Sequence, residues 1–162
     1  MSTVSEKSRI TETEDGITFH RVDQPDQFPD WAPREEVVLF LHHKMKPYHD
    51  SIPDIERALD YALSDKECEG GFIMLTKVEG ELVGVLTMLK TGMGGYIPEN
   101  ILLFVSVDPS MRGRGIGGKL CMHCINQADG DVKLHVEYDN PAKRLYERLG
   151  FTTKYAEMRY VK

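Results

Sequence analysis

A glycine-rich segment, Arg112-Gly113-Arg114-Gly115-Ile116-Gly117-Gly118, separates an apolar run, Ile101 to Val107, from an amphipathic run that ends near Ala128. The order is that of a strand, a bare-backbone turn and a helix, and it constrains the fold more than any other stretch. Four glycines lie between positions 113 and 118. Each costs folding entropy, so a plain strand-to-helix turn does not account for all of them. Bare backbone lets N–H groups approach an anion closely, and a helix start behind it adds unpaired amides and the positive end of a dipole. Arg112, Arg114 and Lys119 add cationic side chains. The segment therefore predicts a site for a phosphate or pyrophosphate group.

The flanking patterns predict a single domain over 17–162, preceded by a loose, Ser-, Thr- and charge-rich lead-in over 1–16. Ile17 to Val22 alternates as a first strand, and Gln24 to Asp30, with two prolines, reads as a loop. Helical spacing follows over Pro33 to Met45 (Val37, Phe40, Leu41 and Lys44 on one side) and over Pro53 to Ser64 (Ile55, Leu59 and Ala62), with Pro47 interrupting between them. Gly71 to Val78 and Glu81 to Lys90, joined by Glu79-Gly80, form a hairpin signal. After a glycine-rich loop, Thr91 to Pro98, come the strand Ile101–Val107, the glycine segment and its helix. Val132–Tyr138 reads as a strand, Pro141–Leu149 as a short helix and Thr152–Val161 as a final extended run. The pattern is a mixed α/β (α+β) fold: a central, mostly antiparallel sheet flanked by helices, with one β-α-β unit carrying the glycine loop.

At 162 residues, 41% hydrophobic and 28% charged, the chain can bury a core without disulfides or metal. Its net charge of −6 argues against a general nucleic-acid binder, which needs a basic surface. Three cysteines without framework spacing suggest free thiols, no secretory signal is visible, and nothing approaches a membrane span. The expectation is a cytoplasmic protein with neither nucleic acid nor membrane as partner. Cys121-Met122-His123-Cys124 invites a metal reading, but no second ligand pair exists. Cys124 falls in line with Ile116 and Leu120, which favours buried small hydrophobes and no metal site.

Gly113, Gly115 and Gly118 satisfy G-x-G-x-x-G, and Glu137 lies about where a dinucleotide fold places its ribose acid. Against that reading, Asp108 to Arg112 intervene between strand and glycines, too little chain follows for further crossovers, and a hairpin precedes. A P-loop is excluded because no Gly-Lys-Ser/Thr follows. Read from Arg112, the segment fits R-x-x-G-x-G on Arg112, Gly115 and Gly117. About two dozen residues later stands Asn140-Pro-Ala142-Lys-Arg-Leu-Tyr146-Glu-Arg-Leu-Gly150-Phe151. Together the two blocks resemble the GNAT superfamily of acyl-CoA-dependent N-acetyltransferases, as do the Val105-Ser106-Val107-Asp108-Pro109 strand end and the hairpin around Glu79 to Gly84. The resemblance runs from about Gly71 to the C-terminus.

The resemblance implies acetyl-CoA as cosubstrate, with its pyrophosphate on Arg112, Gly113, Arg114, Gly115, Ile116, Gly117 and Gly118. Its pantetheine arm would lie along a bulged, splayed strand at Val105, Ser106 and Val107, and Asn140 would contact that arm. Asn140 is equally an N-cap before Pro141. Tyr146 matches a family tyrosine that protonates the leaving thiolate, and it also sits at core spacing with Ala142, Leu145 and Leu149. The implied reaction is direct attack by a primary amine, on a small molecule or peptide, in a ternary complex. The general base stays open: the strand carries no acid, Glu99 is the nearest, and His135, Glu137, Tyr138 or a water chain are alternatives. His42, His43 and His49 fall where the family builds its acceptor site, on what also reads as a solvated face. A homodimer through the final strands is allowed by family analogy and not decided by the sequence. Two other classes remain: a non-catalytic acyl-CoA-binding module, suggested by the missing base, and a nicotinamide-dependent oxidoreductase.

Overall fold

A computed structural model describes residues 11–162. Six strands form one sheet in chain order: β1 (Thr11–Glu14), β2 (Ile17–Val22), β3 (Gly71–Val78), β4 (Glu81–Lys90), β5 (Asn100–Val107) and β6 (Val132–Leu134). Neighbours are antiparallel from β1 through β5; only β5 and β6 are parallel. Four α-helices accompany them: α1 (Arg34–Lys44), α2 (Ile52–Ala62), α3 (Ile116–Gln127) and α4 (Ala142–Leu149). Helix α3 is the crossover of the single β-α-β unit, as the fold class requires.

The sheet separates two apolar layers. On one face, Val37, Val38, Phe40 and Leu41 of α1 and Ile55, Ala58, Leu59 and Ala62 of α2 pack against Val22, Ile73, Leu75, Val85 and Phe104. On the other, Ile116, Leu120, Cys121 and Cys124 of α3, with Tyr146 of α4, pack against Phe19, Phe72, Met74, Leu86, Met88 and Leu102. Burial of each such large side chain is worth about 1.5–3 kcal/mol, so both helix layers are bound chiefly by these stripes. The Ser51 hydroxyl caps α2 by accepting the Asp54 N–H at 3.3 Å. At the far end of β5, Asp108-Pro109 stops the strand: the Asp108 carboxylate accepts the Ser110 N–H at 3.0 Å and starts a 3-10 turn over Pro109–Met111.

Three expectations need correction. Residues 1–10 of the lead-in lie outside the described residues, but Thr11–Glu14 is a strand paired in register with Ile17–His20 across the Asp15-Gly16 turn. Its four residues are all exposed, so no apolar alternation announced it. The strand expected over Val132–Tyr138 pairs only as far as Leu134. The run Thr152–Val161 is exposed and pairs with no strand among the described residues; its Glu157–Arg159 ion pair, at 2.6 Å, joins side chains two residues apart.

Candidate functional site

Chain geometry at the glycine segment is built from two kinds of glycine. Gly113 and Gly115 have φ of +82° and +73°, and Gly115 is the residue that turns the chain into α3. A side chain there would meet open space but a left-handed backbone. Gly117 and Gly118 answer to packing: a Cβ on Gly117 would stand 3.4 Å from Leu145 Cδ2 and 3.7 Å from Val107 Cγ2, and one on Gly118 3.7 Å from Leu145 Cδ1. They let α3 close on α4 and β5. The first helical bond runs from the Lys119 N–H to the Gly115 carbonyl at 3.1 Å. The amides of Ile116, Gly117 and Gly118 therefore have no intrahelical acceptor. Arg112 and Arg114 are exposed beside them, while the Lys119 ammonium is held by Asp15 at 3.1 Å.

An unpaired strand edge leads toward these amides. β5 and β6 pair at Asn100–Val132, Ile101–Lys133 and Leu102–Leu134 and no further, while β5 continues to Val107 against β4 alone. Among the described residues the outer edge of β5 from Leu103 to Val107 has no strand partner, so every second residue offers its N–H and C=O outward. The register against β4 skips Leu103, between Thr87–Phe104 and Met88–Leu102. This bulge puts Leu103 and Phe104 together in the α1/α2 layer and returns Val105 and Val107 to the α3/α4 layer. By alternation Ser106, 6% exposed, turns its side chain away from Val105 and Val107.

Tyr146 comes from α4 on the α3/α4 side. It is 8% exposed, stacks edge-on with Phe151 at 5.9 Å between centroids, and has no hydrogen bond to its hydroxyl among the described residues. Burial, with a smaller contribution from the Cys121 thiol, holds its phenol well above the ordinary tyrosine range, hence protonated. At the start of α4, Asn140 Oδ1 accepts the Ala142 N–H at 2.9 Å and its carbonyl accepts the Lys143 N–H at 3.1 Å. The capping reading is therefore realised, and the Asn140 amide NH₂ is left to donate elsewhere.

The Acetyltransferase (GNAT) family model matches residues 26–151. The chain belongs to this family. Among known proteins, it is 43% identical over 61 residues to a mycothiol acetyltransferase of Actinosynnema mirum, covering 35% of this chain. Matches to the curated mycothiol acetyltransferases span 20% to 30% of their length. Among solved structures, a transcriptional regulator from Bacillus halodurans C-125 superimposes with a TM-score of 0.65 at 21% identity, over 90% of this chain and 99% of that one. An aminoglycoside N-acetyltransferase, AAC(6')-Iy, in complex with CoA gives a TM-score of 0.60 at 15% identity, over 94% and 95%. The solved structures share the overall fold of this chain.

Glu99, the expected general base, stands just before β5 at the end opposite the glycine loop, and its carboxylate is engaged by backbone rather than free. Its Oε2 accepts the Asp131 N–H at 2.7 Å, and that bond, then one from its own backbone, holds the carboxyl below its usual range. The task is structural: Glu99, with Asn100 donating from Nδ2 to the Asp129 carbonyl at 2.7 Å, ties the start of β6 to the start of β5. Cys121 and Cys124 are fully buried as expected, and burial pushes the Cys121 thiol up to about 12. His42, His43 and His49 do gather at the end of α1, with centroids 5.2 and 4.9 Å apart. Among the described residues no three His, Cys, Asp or Glu side chains converge as a metal would need.

The bulge that the resemblance implied falls at Leu103, a position with no residue signature of its own because Leu102, Leu103 and Phe104 are all apolar. One contact escaped the sequence altogether. Tyr48, in the α1–α2 loop, donates its hydroxyl to the Asp139 carbonyl at 3.2 Å across 91 positions, and nothing local in either stretch signals the pairing.

Proposed function

We propose that this chain transfers an acetyl group from acetyl-CoA to a primary amine, by direct attack within a ternary complex. One observation carries the reading: the unpartnered edge of β5 from Leu103 to Val107 opens straight onto the free amides of Ile116, Gly117 and Gly118. An extended amide-bearing arm ending in a pyrophosphate matches that sequence of groups. The arm finds strand-like partners at Val105 and Val107, and the pyrophosphate finds N–H donors, the α3 dipole and the exposed Arg112 and Arg114. Asn140 Nδ2 is free to meet an arm carbonyl. Bound there, acetyl-CoA supplies an activated thioester carbonyl.

The protein's own groups then have defined tasks. A backbone N–H on the outer edge of β5 receives the carbonyl oxygen as its charge develops. Tyr146 offers a proton to the departing sulfur. A free thiol titrates near about 8.5, well below this buried phenol, so full transfer to a solvated thiolate would run uphill. Donation of a strong hydrogen bond, completed as the product acquires its proton from solvent, is the role its environment suits. An anionic surface of net charge −6 favours cationic amines.

Calorimetric titration with acetyl-CoA, together with a thioester-consumption assay over benzylamine, spermidine and a lysine peptide, tests the reading. The expected results are micromolar binding and turnover of at least one amine. Binding without any turnover would favour a non-catalytic acyl-CoA module; no binding would remove the proposal altogether.

A further inference from the structure

Beyond that reading, on which it rests, we propose that Glu137 is the general base, held at the cleft mouth on the side opposite Tyr146. Residues of β6 and its continuation alternate: Val132, Leu134 and Val136 pack into the α3/α4 layer with Tyr146. Lys133, His135 and Glu137 therefore face the α1/α2 side. Glu137 stands three positions past the last paired residue, Leu134, where the chain has already parted from β5. On the same side the α1–α2 loop reaches over, and the Tyr48 hydroxyl closes on the Asp139 carbonyl at 3.2 Å. Desolvation first, then the Asp139 carboxylate and last the Glu137 carboxylate raise the Tyr48 phenol. Glu137 is exposed, so an ammonium can reach it. Glu99 is committed to the Asp131 amide at the other end of the strand. The cleft thus has a proton acceptor on one face and a proton donor on the other, the arrangement in which an amine enters from one side and a thiolate leaves toward the other.

The proton balance is complete with groups on hand. Glu137 takes one proton from the R–NH₃⁺ acceptor and passes it to water, which frees the nitrogen lone pair. The nitrogen forms the new N–C bond, the C–S bond breaks, and the departing sulfur, hydrogen-bonded by the Tyr146 hydroxyl, acquires its proton from solvent. The second amine proton also leaves through Glu137. The net change is one amide, one thiol and one proton released.

The test is Glu137→Gln, which keeps size and removes the basic oxygen, compared with wild type on acetyl-CoA and the same three amines. The expected outcome is a kcat lower by about 10²–10⁴-fold, with acetyl-CoA affinity and unfolding midpoint unchanged. Spermidine affinity for the CoA-saturated protein, measured by calorimetry, should fall about tenfold or more. Glu137→Asp should recover part of the rate. An unchanged kcat in Glu137→Gln overturns the assignment while leaving the transferase reading intact, as does a collapse on His135→Asn with Glu137→Gln active. A wild-type protein that turns over none of the amines removes both.

Discussion

Replacing Tyr146 by phenylalanine separates its two readings, a core aromatic and a proton donor to sulfur. The side chain is 8% exposed and its ring packs on Phe151 within the α3/α4 layer. Phenylalanine keeps all of that. The hydroxyl makes no hydrogen bond among the described residues, so its removal forfeits none, and the usual loss of about 1 kcal/mol for a broken bond does not apply. Unfolding free energy should then stay within about 0.5 kcal/mol of wild type, or rise. A proton donor in the transition state is worth about 10²–10⁴ in rate, which is about 2.7–5.4 kcal/mol at 1.36 per factor of ten. The two readings therefore differ by several kcal/mol, and in opposite observables. Urea unfolding measures the first, and turnover at saturating acetyl-CoA, normalised to bound cofactor, measures the second. A stability loss above about 1.5 kcal/mol with unchanged turnover per bound cofactor would show a structural hydroxyl and refute the catalytic role.

Gly115→Val should weaken acetyl-CoA binding by at least about tenfold and destabilise the fold by about 1–2 kcal/mol, the cost of a left-handed backbone for a residue with a side chain; calorimetry and thermal unfolding read the two effects. Asn100→Ala removes a side chain that is 4% exposed and leaves the Asp129 carbonyl without its 2.7 Å donor, so chemical denaturation should show a loss of about 1–3 kcal/mol. Alkaline pH should destabilise the protein. An unfolded thiol ionises near about 8.5, but the buried Cys121 thiol holds its proton up to about 12. Above the unfolded value the native state binds the extra proton, and stability falls by about 1.4 kcal/mol per pH unit from that group alone. Cys124, raised in the same direction, adds to the slope. Urea midpoints between pH 7 and pH 10 that stay flat would contradict this.

Legibility in the sequence followed the reach of each signal. The β3–β4 hairpin, the two early helices and the β5–loop–α3 order could be read because turn residues and apolar spacing are local. The glycine segment was legible as an anion cradle, yet not as two populations, since only contact distances show that Gly117 and Gly118 serve the approach of Leu145. β1 was hidden because it buries nothing, and its pairing is a backbone matter. The tie of Glu99 to the Asp131 N–H at 2.7 Å was hidden because it joins stretches far apart in the chain, and no local pattern signals it. The β6 boundary failed for a related reason: His135 to Tyr138 carries strand-like alternation, and its lack of a partner is a property of the parting from β5, which no single stretch encodes.

That parting is itself the product of two opposed local constraints. At one end Glu99, Asn100 and the Asn100 N–H, which donates to the Asp131 carbonyl at 3.0 Å, clamp the start of β6 against β5. At the other, the skipped residue Leu103 bends β5 just where pairing stops, and Asp108-Pro109 turns the chain out toward α3. A strand pair pinned at one end and bent at the other forms a wedge rather than a uniformly weak edge. An extended ligand finds backbone groups on the edge of β5 from Leu103 to Val107 without displacing a paired strand. With Glu137 as the proposed base, the clamp that anchors β6 also anchors the segment that carries Glu137, besides contributing to stability. Weakening it should therefore lower kcat more than it lowers affinity for acetyl-CoA, whose pyrophosphate amides belong to α3 and not to β6.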